Sequence, residues 1–247
     1  MQMLVGLSEY QSDDILSLCD IPGVEGAVIG DLFCQKRMFS HGEWDIPRYC
    51  EALKKKGKKT ILQTPMYMTP RYLPQWLDLV AYLNDHSLVD AVLVQDIGLL
   101  AALARKKTDT VLCWSQMGKG RGSQINGPFL QLILQLGATA IQLDVPARGS
   151  AAAESGLEVW QVYGSLTYQT FWRECYSCDQ LDQNPQQCGR LCGKPISITS
   201  GDLTLSVNGH ILGEQLIYKP EAEHRWAFSQ QYMVYAKDKA ALKDVIV

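Results

Sequence analysis

Residues 60–114 read TILQTPMYMTPRYLPQWLDLVAYLNDHSLVDAVLVQDIGLLAALARKKTDTVLCW, and their pattern is the clearest indication of the fold class. It alternates three short apolar runs with two longer amphipathic segments. The runs are Thr60–Thr64, Ala91–Gln95 and Thr110–Trp114, and the segments are Arg71–Asn84 and Ile97–Arg105. Strands alternating with helices in this way are typical of βα units around a parallel sheet. The stretch therefore predicts an α/β protein.

The same pattern continues on both sides of this stretch. Four more candidate strands bring the number to seven: Met3–Ser8, Val24–Gly30, Ala138–Leu143 and Val159–Tyr163. The other candidate helices are Asp13–Leu18, Ile46–Lys56, Ile125–Leu136 and Leu166–Trp172. Gly57 and Gly137 stand where a helix should end before the next strand, because glycine readily adopts the left-handed conformation that closes helices. The chain thus consists largely of repeated βα units.

Two architectures fit such a repeat: a closed barrel and an open doubly wound sheet. The length of 247 residues suits one eight-unit barrel, and no GxGxxG motif follows the first candidate strand. We therefore predict a TIM-like (β/α) barrel, complete or incomplete, over residues 1–192, with a cysteine cluster at its end.

The chain changes character after Cys192. Its short runs at Ile196–Thr199, Leu203–Val207 and Gln215–Tyr218 are interrupted by glycines. This pattern predicts a β-meander with a two-residue turn at Asn208–Gly209, a dipeptide that favours type I′ hairpins. We expect residues 193–247, with a helix from Lys239, to complete the same domain.

Composition excludes several classes of protein. The chain has 23 Lys and Arg against 26 Asp and Glu, a net charge of −3 and 47% hydrophobic residues. These values are typical of a globular protein and exclude a disordered, fibrous or strongly basic one. They do not exclude a local patch of basic residues. The first residues lack the basic region of a secretory signal, and the uncharged residues 122–143 are too polar for a membrane span. The sequence predicts a cytoplasmic location and no membrane span.

Cysteine spacing points to a metal site. Four of the eight cysteines, namely Cys175, Cys178, Cys188 and Cys192, fall within 18 residues. In a cytoplasmic chain such clusters hold metals more often than disulfides. The four thiols could close a tetrahedral zinc site, or three of them could join a distant cysteine around an iron–sulfur cluster. Both interpretations stay open from spacing alone.

The remaining cysteines differ in their surroundings. Cys19, Cys50 and Cys113 lie in apolar helix or strand patterns and are predicted to be small buried hydrophobic residues. Cys34 instead follows the second candidate strand, at the edge where a parallel barrel gathers its functional residues. It is the candidate distant ligand.

Around these cysteines the chain resembles the U32 peptidase-like family, most closely its UbiV-type branch. The resemblance rests on GDLFCQKRMFSHGEW at residues 30–44, VYGSL at 162–166 and the Arg-x-Cys of Arg173 and Cys175. It also rests on the Cys-x12-Cys-x3-Cys spacing of Cys175, Cys188 and Cys192 and on SVNGHILG at 206–213.

The resemblance implies a [4Fe–4S] cluster bound by Cys34, Cys175, Cys188 and Cys192, with Cys178 as a neighbour. It further implies oxygen-independent hydroxylation of a ubiquinone precursor. In that role the chain would be one subunit of a heterodimer with a second U32-family subunit, acting on an isoprenoid quinone precursor. The zinc alternative would use Cys178 and leave Cys34 aside.

Two other functions are alternatives to quinone-precursor hydroxylation. The sequence predicts no catalytic residue for any of the three. A U32-type peptidase or hydrolase is suggested by the family name, yet the chain has neither GxSxG nor HExxH. A relative that hydroxylates RNA would contact phosphate through Lys36, Lys119 and Arg121. Where the family usually has a glutamate, this chain has Val159, with Glu158 displaced by one residue and so on the opposite strand face.

Three further groups of residues are candidates for function. The loop Met117–Ser123 (MGKGRGS) is predicted to be either a glycine-rich lid or an anion-binding loop. Asp96 and Asp144 follow strands, as catalytic carboxylates or helix caps. A polar and aromatic group after Cys34 would stabilise thiolates or cover the cluster: Lys36, Arg37, His41, Glu43 and Trp44.

Overall fold

The structure is a computed structural model of the 247-residue chain. It describes residues 2–7, 16–17, 19–30, 46–66, 68–106, 109–116, 125–143, 151–163, 168–169, 195–200, 203–208, 211–212 and 231–236. The strands are β1 (Gln2–Leu7), β2 (Val24–Gly30), β3 (Lys59–Gln63), β4 (Ala91–Val94), β5 (Val111–Ser115), β6 (Ala140–Leu143), β7 (Glu158–Tyr163), β8 (Tyr168–Gln169), β9 (Pro195–Ser200), β10 (Leu203–Asn208), β11 (Ile211–Leu212) and β12 (Gln231–Ala236). The helices are α1 (Ile46–Lys55), α2 (Leu73–Asp85), α3 (Ile97–Arg105), α4 (Gly127–Gln135) and α5 (Ala151–Glu154).

Eight parallel strands close into a barrel in the order β1-β12-β7-β6-β5-β4-β3-β2. Closure depends on β12, which pairs in parallel with β7 on one side and with β1 on the other. Gln231 is in register with both Trp160 and Gln2. The closed order confirms the α/β barrel and excludes the open doubly wound sheet.

The predicted βα units coincide closely with the observed elements, and their helix ends have the expected chemistry. After α1, the amide of Lys58 donates to the carbonyl of Leu53 at 3.0 Å, across Gly57 at φ +67°. After α4, Ala138 donates to Ile133 at 3.0 Å, across Gly137 at φ +82°. Both glycines therefore end helices as predicted, by the bond that closes a Schellman motif.

The helices pack their apolar faces against the outside of the barrel. In α2 the buried residues are Trp76, Val80 and Leu83, one helical stripe. They join outward-facing strand residues such as Val92 and Ile141 in one buried cluster. Because strand side chains alternate between faces, the other half of each strand fills the barrel interior.

A second buried cluster occupies that interior. Alternate strands supply Leu4, Ile61, Cys113 and Trp160, each at most 1% exposed. Val28 and Leu93 come from the intervening strands and pack against them. Such interlocking contributions from alternate strands are how eight-stranded (β/α) barrels fill their centres. The middle of the barrel is therefore a packed apolar core.

The segment after β7 departs from the prediction. The helix predicted over Leu166–Trp172 is wrong at Tyr168–Gln169, which form β8 and pair antiparallel with β11. The strands predicted at Ile196–Thr199 and Leu203–Val207 form the antiparallel pair of β9 and β10. Gly209, the strand Gln215–Tyr218 and the helix from Lys239 lie outside the described residues.

Among the described residues, no helix has both the length and the apolar character needed to cross a membrane.

Candidate site at the C-terminal edge of the barrel

Four polar side chains occupy the barrel interior where strands β3 to β6 end. We call Gln63, Gln95, Ser115 and Gln142 the polar layer; each is at most 2% exposed. Each lies two residues after an inward-facing apolar residue of its strand, and that spacing places it on the same inner face. The barrel core therefore changes from apolar to polar at the C-terminal edge, where (β/α) barrels carry their active sites.

Hydrogen bonds connect the polar layer across three strands. The amide Nε2 of Gln95 donates to Ser115 Oγ at 2.9 Å. The Ser115 hydroxyl in turn donates to Gln142 Oε1. Gln63 Nε2 donates to the carbonyl of Thr64 at 3.0 Å, and Thr64 Oγ1 donates to the carbonyl of Leu93 at 2.8 Å. These bonds fix the strand ends relative to one another and orient the amides in a region shielded from water.

Trp160 lies directly beside this layer. Its backbone is in register with Gln142, and its side chain is 1% exposed within the interior cluster. The indole Nε1 has no hydrogen-bond partner among the described residues. A buried indole N–H normally finds an acceptor, because leaving it without one costs about 1–3 kcal/mol. The site thus combines neutral amides and a hydroxyl with an indole N–H that has no acceptor among the described residues.

The end of β2 approaches this site through Gly30. Its φ is +130°, and a Cβ built on it would collide with the carbonyl oxygen of Gln63. Only glycine therefore allows β2 to pair this closely with β3. Cys34 follows four residues later in the sequence.

Asp96 caps a helix. Its Oδ1 accepts the amide of Leu99 at 2.8 Å in the first turn of α3, and its Oδ2 accepts the amide of Met68 at 3.2 Å. Both oxygens are thus engaged with backbone, as expected for an N-cap that also anchors the loop after β3. Of the two interpretations of this carboxylate, the structure favours the cap.

We expect Asp96→Ala to lower the free energy of unfolding by about 1–2 kcal/mol, since it leaves two backbone amides without an acceptor. Asp96→Asn should recover part of the loss because its side-chain oxygen can still accept one of these bonds. Urea denaturation followed by circular dichroism measures both. Equal stability of Asp96→Ala and wild type would contradict the capping role.

Cys19, Cys50 and Cys113 are buried free thiols, as predicted. Burial raises the pKa of Cys19 to about 11 and that of Cys50 to about 12, and it raises the pKa of Cys113 well above the ordinary value. Metals bind the thiolate, which these surroundings disfavour. These three cysteines are therefore poor ligands.

The other predicted ligands and neighbours lie outside the described residues: Cys34, Cys175, Cys178, Cys188, Cys192, Lys36, Arg37, His41, Glu43, Trp44, Asp144 and the loop Met117–Ser123. Within the described part of the chain, no three His, Cys, Asp or Glu side chains are grouped so that they could hold a metal ion. Cys19, Cys50 and Cys113 therefore form no such group with other described side chains.

Glu158 and Val159 occupy opposite faces of β7, as their one-residue offset predicts. Val159 is 4% exposed and packs in the cluster between barrel and helices. Glu158 shares the inward face with Trp160 but begins the strand, and its charge contributes to the raised pKa of Cys113. The glutamate therefore lies one inward-facing position closer to the N-terminal edge than Trp160 and Gln142.

The polar layer was not recognised in the sequence, although a signal exists. Each of the runs TILQ, AVLVQ, VLCWS and AIQL ends on, or one residue after, a polar residue that interrupts its hydrophobic pattern. Polar residues at the carboxyl ends of otherwise apolar strands face the active-site edge of a barrel.

Comparison with known proteins agrees with this architecture. No protein-family model and no curated protein matches the chain. Among solved structures, the U32 peptidase Mk0906 superposes with a TM-score of 0.54 over 95% of this chain and 92% of its own, at 14% sequence identity. This chain has the fold of that U32 peptidase.

Two other solved structures match smaller parts of the chain. Oxaloacetate acetylhydrolase, in complex with oxalate, has a TM-score of 0.45 at 12% identity and covers 65% of this chain and 66% of its own. A 2,3-dimethylmalate lyase has a TM-score of 0.43 at 14% identity and covers 66% of each chain.

Proposed function

We propose that the protein belongs to the U32 peptidase-like family and carries a [4Fe–4S] cluster at the C-terminal edge of its barrel. Its ligands would be Cys34, Cys175, Cys188 and Cys192. It would act in oxygen-independent hydroxylation of an isoprenoid quinone precursor, as one subunit of a heterodimer with a second U32-family chain. The cluster would supply electron transfer or activate an oxygen donor other than O₂.

The observation that carries this proposal is the shared fold, which extends over nearly the whole of both chains. The superposition covers 95% of this chain and 92% of the U32 peptidase. It agrees with the cysteine motifs, which are independent of backbone superposition.

The position of β2 supports Cys34 as a ligand. Gly30 ends β2 at the C-terminal edge, and four residues of chain span at most about 14 Å. A linker of this length would keep Cys34 within that distance of the edge toward which β7, the last barrel strand before the late cysteines, also runs. Parallel pairing of β7, β12, β1 and β2 brings these strand ends to one side of the barrel.

The buried thiols support the same set of ligands by elimination. Cys19, Cys50 and Cys113 are enclosed in apolar clusters and have raised pKa values. The cysteines that remain as candidate ligands are Cys34, Cys175, Cys178, Cys188 and Cys192. The choice between Cys34 and Cys178 separates an iron–sulfur cluster from a compact zinc site.

The test is anaerobic purification of wild type, Cys34→Ala and Cys178→Ala, with metal analysis and visible absorption spectra. We expect iron and sulfide in wild type and Cys178→Ala, and loss of most of the iron in Cys34→Ala. Cys178→Ala is the matched control, since it makes the same substitution at a cysteine that the proposed cluster does not use. Zinc in wild type that Cys178→Ala releases would overturn the proposal.

A further inference from the structure

The polar layer and Trp160 form a second recognition element inside the barrel that the proposed cluster does not use. Its side chains come from β3 to β7, whereas Cys34 follows β2. Gln63, Gln95, Ser115 and Gln142 carry no charge at neutral pH, and amides and hydroxyls both donate and accept hydrogen bonds. A site of this composition suits an uncharged polar group.

Burial strengthens this preference for neutral ligands. The side chains of the polar layer are at most 2% exposed, and the interior beneath them is apolar. Transferring a carboxylate or phosphate to such surroundings without a countercharge is far more costly than transferring a hydroxyl or carbonyl. The acidic residue that β7 adds to this inner face, Glu158, lies two residues before Trp160, and a carboxylate there repels an anion.

The indole of Trp160 shows which kind of atom would complete the site. Its Nε1 is a buried donor with no partner among the described residues. Gln142, in register with Trp160, already accepts the hydroxyl proton of Ser115 through Oε1. An oxygen acceptor from outside the protein would satisfy the indole without breaking that bond.

We infer that Trp160 and the polar layer form the floor of a binding site for an uncharged hydroxyl or carbonyl group. In this arrangement the ligand oxygen accepts from Trp160 Nε1, and the amide of Gln142 orients the group. The class includes the head group of the quinone precursor in the proposed function, and only this assignment of the natural ligand rests on that proposal.

The test uses 4-propylphenol as the probe, with 4-propylbenzoate as the matched anion, titrated calorimetrically into the anaerobically purified full chain. We expect the phenol to bind wild type and the benzoate to bind at least tenfold more weakly. Gln142→Met and Trp160→Phe should each weaken phenol binding about 3- to 10-fold, the effect of losing one neutral hydrogen bond.

Gln135→Met is the control, because it makes the same chemical change at an exposed position of α4. Its phenol affinity should equal that of wild type. If Gln142→Met does not fold, as judged by circular dichroism, Trp160→Phe decides the outcome, since it retains a ring in the core.

Three results would overturn the inference: no phenol binding, benzoate binding as tight as phenol binding, or unchanged phenol affinity in Trp160→Phe. Iron analysis of the same samples separates this inference from the proposed function. Phenol binding by a protein that contains no iron would support the binding site at Trp160 and contradict the proposed cluster. A protein that contains iron but binds no phenol would support the cluster and contradict the binding site.

Discussion

Replacing Gly30 by alanine should lower the free energy of unfolding by about 3 kcal/mol or more. Two independent costs add at this position. The backbone has φ +130°, a conformation that L side chains rarely adopt, and the new Cβ would collide with the Gln63 carbonyl oxygen on β3. The neighbouring atom is backbone in a parallel ladder, which cannot move without disturbing the pairing of β2 with β3.

Thermal and urea denaturation of Gly30→Ala and Gly127→Ala would test this expectation. Gly127→Ala is the matched control, because no atom outside its chain neighbours and its own helix backbone lies within 4 Å of its Cβ position, and its φ is not positive. The control should be neutral or slightly stabilising, since alanine favours helices. Equal stability of the two variants would show that β2 can move away from β3 at little cost.

Replacing Trp76 by alanine should destabilise the protein by about 3–5 kcal/mol. The side chain is 0% exposed on the inner stripe of α2, and its removal leaves a cavity between the helix and the barrel. Close packing around it prevents the neighbouring side chains from filling the space completely. The measurement is urea denaturation followed by circular dichroism.

Tyr82→Ala on the same helix provides the comparison. Tyr82 is 43% exposed and stacks on His86 with ring centroids 4.2 Å apart. Its loss should cost no more than about 1 kcal/mol, because the side chain is exposed and its removal leaves no enclosed cavity. Losses of similar size at both positions would mean that α2 does not pack as the structure shows.

The sequence predicted those parts of the fold whose signals are local. Strand runs such as Val24–Gly30 coincide with the structure because β-branched residues cluster in them. Gly57 and Gly137 end their helices as predicted, because a left-handed residue at that point needs no tertiary contact. The buried thiols of Cys19, Cys50 and Cys113 also follow from their apolar neighbours.

Other features required contacts between distant segments. The strand Gln231–Ala236 lies far from β7 and β1 in sequence, and its role appears only when it pairs between them. The helix predicted at Leu166–Trp172 failed at Tyr168–Gln169, where pairing with Ile211–Leu212 determines the backbone conformation. The sequence allowed Asp96 to be a catalytic carboxylate or a helix cap. Its hydrogen bonds with two backbone amides identify it as a cap.

The βα repeat, the helix ends and the burial of three cysteines follow from local sequence patterns, and so does the cysteine motif that supports the proposed cluster. The closure of the sheet and the meeting of four polar strand ends inside it follow only from contacts between distant segments. Propensity and periodicity act over a few residues, whereas closure and the convergence of Gln63, Gln95, Ser115 and Gln142 arise from strand pairings across the chain. Only those pairings bring the polar layer against Trp160.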